Sequence, residues 1–346
     1  MSATRRVGVL LALLALALLA LPYVASSYVL SVATLILFFA FTGQAWNVMM
    51  GFAGQLSLGH SLYVGLAAYA SAGLFFHYGV GPWAGLWLGM LICVAAGAAI
   101  GFLAFRFGIS GVYFALLTIA FAEFTRIGFD HIAWLGGPGG LFIRVEQRDS
   151  IDLLNLRGTP EMFYYVMLAF VAGAFALCAG LLRSRAGYYW QAIRENEEAA
   201  QALGINTFRW KMLAVMISAA MTSLAGVFFA FYYNNLFPEQ IFHISRSIEI
   251  ILGPIIGGIG TLFGPILGAA LLTILADGIT ELLAALGWEF PGVKQVFYGV
   301  VLLTVIMFLP HGVWPALARR LGLGHKAPEP TQGRAAPSDD ASSGKS

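Results

Sequence analysis

Few side chains in this 346-residue chain have a type and spacing suited to chemistry. Cys93 and Cys178 both fall inside apolar runs, so we expect core residues rather than a disulfide framework or a zinc site. The histidines lie near predicted loops, span ends or the C-terminal tail, and no serine or cysteine has a recognisable partner spacing for nucleophilic catalysis. The pattern therefore predicts neither a catalytic residue nor a metal ligand.

Ionisable residues inside the apolar runs are sparse. Glu123 and Arg126 are one helical turn apart and are predicted to neutralise each other, whereas Asp277 and Glu281 share a helix face at a spacing where like charges repel. An ionisable residue in a membrane span is a functional hypothesis by default. Polar packing near span ends accounts for the same residues, and no relay of acids and histidines is evident.

Two glycine-rich segments between apolar runs are the strongest candidates for a transport path. We name residues 51–60 the first glycine segment and residues 258–265 the second. Irregular backbone at membrane depth is tolerated only when it is buried in protein or lines a wet cavity, and paired glycine-interrupted segments in two halves point to a substrate path. Tight turns with close packing are the alternative. The predicted path residues are Gly54, Gln55, Ser57, Gly59, His60, Gly258, Gly260 and Thr261.

The elements that must position these segments are membrane helices. The chain is 59% hydrophobic and only 10% charged, against about 25% charged residues in soluble domains. Its net charge of +2 is too small to indicate a nucleic-acid partner. Nine apolar runs are long enough to cross a bilayer, and residues 247–260 form a shorter tenth. We therefore expect an all-α polytopic membrane protein of about ten transmembrane helices, with a pseudo-repeat of two halves and the lipid bilayer as its surroundings.

The distribution of basic residues predicts the orientation. Lys and Arg accumulate on the cytoplasmic side of membrane proteins. With ten crossings and a cytoplasmic start, thirteen of the 19 basic residues lie inside and six outside. The orientation gives an uncleaved N-terminal membrane helix (1–27), a transmembrane domain (28–321) and a disordered cytoplasmic tail (322–346). A cleaved secretory signal is the alternative for the N-terminal run. Residues 129–160 are then an external loop, residues 183–211 are cytoplasmic, and both termini are cytoplasmic.

The cytoplasmic stretch 183–211, named here the charged segment, resembles a docking device. Residues 191–203 are predicted to form one amphipathic helix, which Gly204 ends in a left-handed conformation before Asn206 caps the next helix. A short helix lying on the membrane surface can be pushed as a rigid body by an external partner. A merely solvated loop is the alternative.

The order of several motifs resembles a known family. Glu198, Ala199 and Ala200 followed by Gly204 are similar to the Glu-Ala-Ala loop of ABC importer permeases, and the chain as a whole resembles the branched-chain amino-acid permeases of the LivM type. One departure is that the broader pattern's later Ile-x-Leu-Pro is absent after Gly204. The stretches that carry the resemblance are residues 54–60, 111–118, 136–140, 192–200, 202–206 and 257–265.

The resemblance implies a type II-like ABC importer permease of a prokaryotic inner membrane. It implies two ATPase subunits that bind ATP and Mg, a second permease subunit expected to be a related but distinct chain, and an extracytoplasmic solute-binding protein. No cofactor is expected in this chain. The implied ATPase-coupling residues are Glu198, Ala199, Ala200, Leu203 and Gly204.

The expected function is import of branched-chain or other hydrophobic amino acids by alternating access. Urea or short amides are the alternative cargo, because closely similar permeases carry them. A stand-alone secondary transporter is a further alternative, which would need coupling-ion sites near the membrane midplane.

Overall fold

The computed structural model describes residues 15–144, 152–286 and 292–320 of the chain. These residues are almost entirely helical, as the apolar runs predict. The helices are α1 (Ala15–Val24), α2 (Ser27–Asn47), α3 (His60–Tyr78), α4 (Pro82–Arg106), α5 (Val112–Asp130), α6 (Pro160–Arg183), α7 (Arg185–Glu195), α8 (Glu197–Ala202), α9 (Thr207–Tyr233), α10 (Pro238–Ile241), α11 (Ile244–Gly257), α12 (Gly264–Ala285), α13 (Val293–Phe308) and α14 (Val313–Arg320). The two strands are β1 (Leu141–Phe142) and β2 (Asn235–Leu236).

Six of the described helices are long and apolar enough to cross a membrane. They are α2 with the π-helical turn that extends it to Phe52, α4, α5, α6, α9 and α12. The predicted polytopic helical class is thus confirmed. By contrast, α11 has 14 residues, which is ~21 Å of helix against ~30 Å of hydrocarbon. Ten crossings and the two-half repeat therefore remain predictions. Residues 1–14 of the predicted first helix and the predicted tail 322–346 lie outside the described residues.

Small residues let the central helices approach closely. A methyl group on Gly226 of α9 would collide with the carbonyl oxygen of Val64 in α3, and one on Gly89 of α4 would lie 3.1 Å from the Cα of Ala67. One on Gly97 would lie 3.2 Å from the Cβ of Ala219. The glycines of α4 therefore let these helices pack closely.

Connections collect at two opposite ends of the bundle. At one end β1 pairs with β2 in an antiparallel ladder, with Leu141 opposite Leu236. The ring of His77, at the end of α3, stacks on Trp134 with centroids 4.2 Å apart. Nε1 of Trp83, at the start of α4, donates to the carbonyl of Leu153 at 2.8 Å. The 129–160 loop is therefore tied to the α3–α4 and α9–α10 connections.

The opposite end carries the charged segment, both glycine segments and the α13–α14 turn. A methyl group on Gly258 would lie 3.0 Å from Cδ of Pro315 and 3.2 Å from the carbonyl oxygen of His311. The groups that the sequence singles out as functional, although far apart in the chain, thus meet at one end of the bundle.

Candidate functional site at one end of the bundle

The charged segment folds as two helices, α7 and α8, so the prediction of one helix over 191–203 is wrong. The break is at Asn196, whose backbone is extended (φ −159°, ψ 107°). Its Oδ1 accepts a hydrogen bond from the backbone N–H of Ala199 at 2.9 Å. Asparagine side chains compete for backbone donors in this way, so Asn196 ends one helix and caps the next.

The end of α8 follows the sequence prediction. Gly204 has φ +85°. Its N–H donates to the carbonyl of Gln201 at 2.9 Å, and the N–H of Ile205 donates to that of Ala200 at 3.1 Å. This pair of bonds is a Schellman motif, which needs a left-handed residue at its turn. Oδ1 of Asn206 then accepts from the N–H of Arg209 at 3.0 Å and begins α9, as predicted.

Four of the five predicted coupling residues face solvent. Glu198, Ala199, Leu203 and Gly204 are exposed, whereas Ala200 is buried. Leu203 is 82% exposed, although it is a large apolar side chain. It borders an open groove of about 770 Å³ that runs to α9. An exposed apolar residue beside a groove suits contact with another protein.

The α8 helix is braced against the bundle. Nζ of Lys211, in α9, donates to Oε1 of Glu197 at 2.6 Å and lies 4.7 Å from the centroid of the Phe105 ring. Nε2 of Gln201 donates to Oγ1 of Thr207 at 2.8 Å. The Lys211 side chain is only 8% exposed, so this ion pair is screened little by water. Glu197 and Gln201 of α8 are therefore tied directly to α9.

The α7 helix reaches both glycine segments through Arg194. Nη1 of Arg194 donates to the carbonyl oxygen of Gly51. Gly54 has φ +71°, and a methyl group there would lie 3.0 Å from Cγ of Arg194. A methyl group on Gly260 would lie 2.5 Å from Nη1. The side chain thus passes through a gap that these two glycines leave open.

Asn47, at the end of α2, joins the second glycine segment to the first. Its Nδ2 donates to the carbonyl of Thr261 at 2.9 Å, and its Oδ1 accepts from the N–H of Gly260 at 2.8 Å. Gln44, one turn earlier, donates to the carbonyl of Leu262. Sequence reasoning missed both residues and the role of Arg194. The available signal was two amides three residues apart in an otherwise apolar span.

The predicted path residues of the first segment are held in buried, irregular backbone. Nε2 of His60 lies 2.9 Å from Oγ of Ser218, and Nδ1 lies 3.4 Å from Oγ of Ser57. Nε1 of Trp46 donates to the carbonyl of Ser57 at 2.8 Å. Gln55 is also buried, and its amide donates to the carbonyl of Ala53 at 3.0 Å. The first segment is thus backbone enclosed by protein, and its assignment to a substrate path stays a prediction.

Gly59 and the second segment have the same structural character. A methyl group on Gly59 would collide with the carbonyl of Thr118 in α5. Oγ1 of Thr261 donates to the carbonyl of Gly258 at 2.8 Å and accepts from the N–H of Gly264 at 3.0 Å. Gly258 and Gly260 have φ of +126° and +77°. These residues shape a tight turn that other side chains would strain.

No cluster of three or more His, Cys, Asp or Glu side chains able to hold a metal occurs in the part of the chain that the structure describes. The predicted pair of Glu123 and Arg126 is confirmed, with 2.7 Å between Oε1 and Nη2. Arg126 also contacts Asp130 at 2.9 Å. Arg126 thus pairs with two carboxylates on α5, and the three side chains together carry one net negative charge.

A bundle of membrane helices with a short, exposed and partly apolar helix braced at one end has the form of a transporter's membrane subunit. The chain belongs to the family described as branched-chain amino acid transport system / permease component, whose sequence model matches residues 28–306. It is accordingly a transport component and not an enzyme.

The relatives are named as permeases. Over 317 residues the chain is 30% identical to the high-affinity branched-chain amino acid transport system permease protein LivM of Escherichia coli (strain K12), a match that covers 86% of this chain and 72% of that protein. It is 31% identical over 140 residues to LivH of the same organism, covering 40% and 42%. The autoinducer 2 import system permease protein LsrC of Yersinia enterocolitica is 33% identical over 168 residues, covering 45% and 44%. No solved structure matches the chain at a significant level.

Proposed function

We propose that this chain is the permease subunit of an ATP-driven, binding-protein-dependent importer of branched-chain amino acids. The names of the relatives that it matches over most of its length support the cargo. The observation that carries the mechanism is the exposed α8 helix, which is braced to α9 through Glu197 and Lys211 and lies next to the Arg194 link to Gly51.

The partners follow from this assignment. LivM and LivH are both named as permease proteins of a branched-chain amino acid transport system, which supports a second, related but distinct permease subunit. Two ATPase subunits hold ATP and Mg outside the membrane, and an extracytoplasmic binding protein delivers the cargo. The exposed residues Glu198, Ala199, Leu203 and Gly204 contact an ATPase subunit, and the buried Ala200 fixes α8 to the bundle.

The orientation places the charged segment in the cytoplasm and the 129–160 loop outside, with the chain in the inner membrane. This orientation is supported by the positions of the connections between helices. They collect at two opposite ends of the bundle, as they must when successive helices cross the membrane in opposite directions. In a ten-crossing topology α11 and the connection before it return the chain to the cytoplasmic side, and the glycine segments are the corresponding parts of two halves.

The coupling mechanism uses the contacts around Arg194. Nucleotide-driven movement of the ATPase subunits displaces α8, and the ion pair of Glu197 with Lys211 passes the displacement to α9. Arg194 passes it to Gly51, and Asn47 carries it to Gly260 and Thr261. The base of the substrate path, formed by the two glycine segments, then opens or closes.

Reconstitution tests the proposal. Proteoliposomes containing this chain, its companion permease and the ATPase subunits should transport leucine only under two conditions. ATP must be present on the side of the membrane that carries the ATPase subunits, and the binding protein must be present on the opposite side. Urea and acetamide should not compete. Uptake that survives removal of the ATPase subunits would refute the ATP-driven mechanism, and uptake of urea in place of leucine would refute the cargo.

A further inference from the structure

A second charged group lies away from the coupling residues, at the start of α11. Nη1 of Arg246 donates to Oε2 of Glu249 at 2.9 Å, and about a quarter of each side chain is exposed. The guanidinium carbon lies 5.4 Å from the centroid of the Phe229 ring. Nε of Arg246 is buried and has no hydrogen-bond partner among the described residues. The guanidinium therefore has one donor, enclosed by protein, whose hydrogen bond is not made by a described residue.

The pair lies inside the bundle rather than at its rim. The Phe229 ring, which Arg246 covers, is 6.0 Å from the ring of Phe38. Phe38 follows the first residue of α2, Ser27, by eleven positions, or ~16 Å along the helix axis. Charged groups are costly at such depth, so an intramembrane ion pair is by default a candidate for function.

The backbone around the pair also suits an anionic group. The start of α11 is fixed in the interior, because Oγ of Ser61 in α3 donates to the carbonyl of Phe242 at 2.9 Å and accepts from Oγ of Ser247 at 2.9 Å. The N–H groups of Ser245 and Arg246 are bonded to His243, through its Nδ1 at 3.2 Å and its carbonyl oxygen at 3.0 Å. The start of this helix therefore directs the positive end of its dipole into the protein. Interrupted helices of this kind hold the anionic groups of transported solutes.

Glu249 borders a cavity of about 210 Å³ between α11 and α13, and Arg246 adjoins this cavity through its bond to Glu249. This volume is below that of sites for drug-sized ligands and fits one small molecule. Glu249, Tyr298 and the polar residues Ser245 and Gln295 border it on one part of the wall. Ile248, Leu252 and Leu302 form its aliphatic part.

We propose that Arg246, Glu249 and this cavity bind the transported solute as a zwitterion with an aliphatic side chain. Arg246, beside the positive end of the α11 dipole, takes the carboxylate. Glu249 takes the ammonium group, and the aliphatic part of the wall takes the side chain. A zwitterion supplies one opposite charge to each member of the pair, so the two residues exchange partners without leaving a buried charge unpaired. This inference rests on the proposed amino-acid import and adds its binding site.

Protection of an introduced thiol tests the site directly. Leu302→Cys places the thiol in the cavity wall, and the native Cys93 and Cys178 are both buried. In the purified complex of this chain with its companion permease and ATPase subunits, leucine should slow alkylation of the new thiol by a maleimide several-fold in the nucleotide-free or the vanadate-trapped state. The analogues 4-methylpentanoate and 3-methylbutylamine, which each lack one of the two charges, should not protect it.

Changes to the pair should then remove protection selectively. Glu249→Gln should abolish protection by leucine and raise the KM for uptake about tenfold or more. Glu123→Gln is the matched control, because Glu123 and Arg126 form a pair of the same three-residue spacing on α5. Protection and KM should be unchanged in that variant. If Glu249→Gln does not assemble, the single-charge analogues still test the need for both charges, because they leave the Arg246–Glu249 pair unaltered.

Three outcomes would overturn the site: no protection by leucine in either state, equal protection by the single-charge analogues, or protection that is unchanged in Glu249→Gln. The first of these, in a complex that imports leucine, removes the site and leaves the importer in place. A wild-type complex that imports no leucine removes the importer assignment instead.

Discussion

Removal of the Arg194 side chain should uncouple ATP hydrolysis from transport. Arg194 is the described side chain that joins α7 to the first glycine segment, through its bond to the carbonyl of Gly51. Arg194→Ala deletes that bond but leaves α8, the cap at Asn196 and the ion pair of Lys211 in place. The ATPase subunits should therefore still dock and hydrolyse ATP, while the substrate path follows their movement less well.

The size of the effect follows from the chemistry of the bond. A hydrogen bond from a charged donor contributes about 1.5–3 kcal/mol. The Arg194 side chain is 35% exposed, so solvent screening reduces this to about 1–2 kcal/mol. Because about 1.4 kcal/mol corresponds to a factor of ten, the number of substrate molecules imported per ATP should fall about fivefold to thirtyfold.

The assay measures ATP hydrolysis and uptake in the same proteoliposomes. Arg185→Ala is the control, because Arg185 is an exposed arginine on the same helix. Arg194→Ala should keep hydrolysis that responds to the loaded binding protein and should import less per ATP, and Arg185→Ala should match the wild type. An unchanged ratio in Arg194→Ala, or a parallel loss of hydrolysis and uptake, would refute transmission through this bond.

The other predictions concern helix geometry and packing. Gly204→Val should reduce the coupling of ATP hydrolysis to uptake, because a β-branched residue at φ +85° costs more than the ~1–2 kcal/mol of the left-handed region. Gly204→Asn should retain most activity, and equal coupling in both variants would contradict the Schellman motif at the end of α8. Gly226→Ala should lower the yield of folded protein measured by size-exclusion chromatography, because the added methyl group collides with the backbone of α3. Gly173→Ala should not lower the yield, since nothing lies within 4 Å of its added methyl group, and equal yields would refute close helix contact as the reason for Gly226. Glu197→Gln should lower the melting temperature of the complex, because it leaves the buried Lys211 ammonium group unpaired. The double variant Glu197→Gln, Lys211→Met should recover part of the lost melting temperature, and no recovery would show that the ion pair is not the cause.

Features set by local chemistry were predictable from the chain alone. The left-handed turn at Gly204 and the cap at Asn206 depend on residues a few positions apart, and both occur as expected. The pair of Glu123 and Arg126 depends on one helical turn. The single helix expected over 191–203 was wrong because Asn196 offers the backbone a competing hydrogen bond, which an amphipathic pattern does not register.

The candidate site was predictable only in part. The glycine segments were recognised as unusual, but their contact with each other is made by Asn47, more than 200 residues from its partners in the second segment. Arg194 stood inside a recognised motif, yet its partner Gly51 precedes it by 143 positions. No periodicity links residues at such distances, since their contact depends on how several helices pack.

The sequence by itself determined that this is a polytopic helical membrane protein, and its motifs placed it with the permeases. Apolar length, glycine conformation and helix capping are properties of short stretches, so they can be read without coordinates. Tertiary structure decided that the charged segment touches both glycine segments, and that Arg246 and Glu249 lie beside a small cavity inside the bundle. The physical reason is that close helix packing, permitted by glycines such as Gly226, brings together side chains whose separation along the chain carries no signal of their contact.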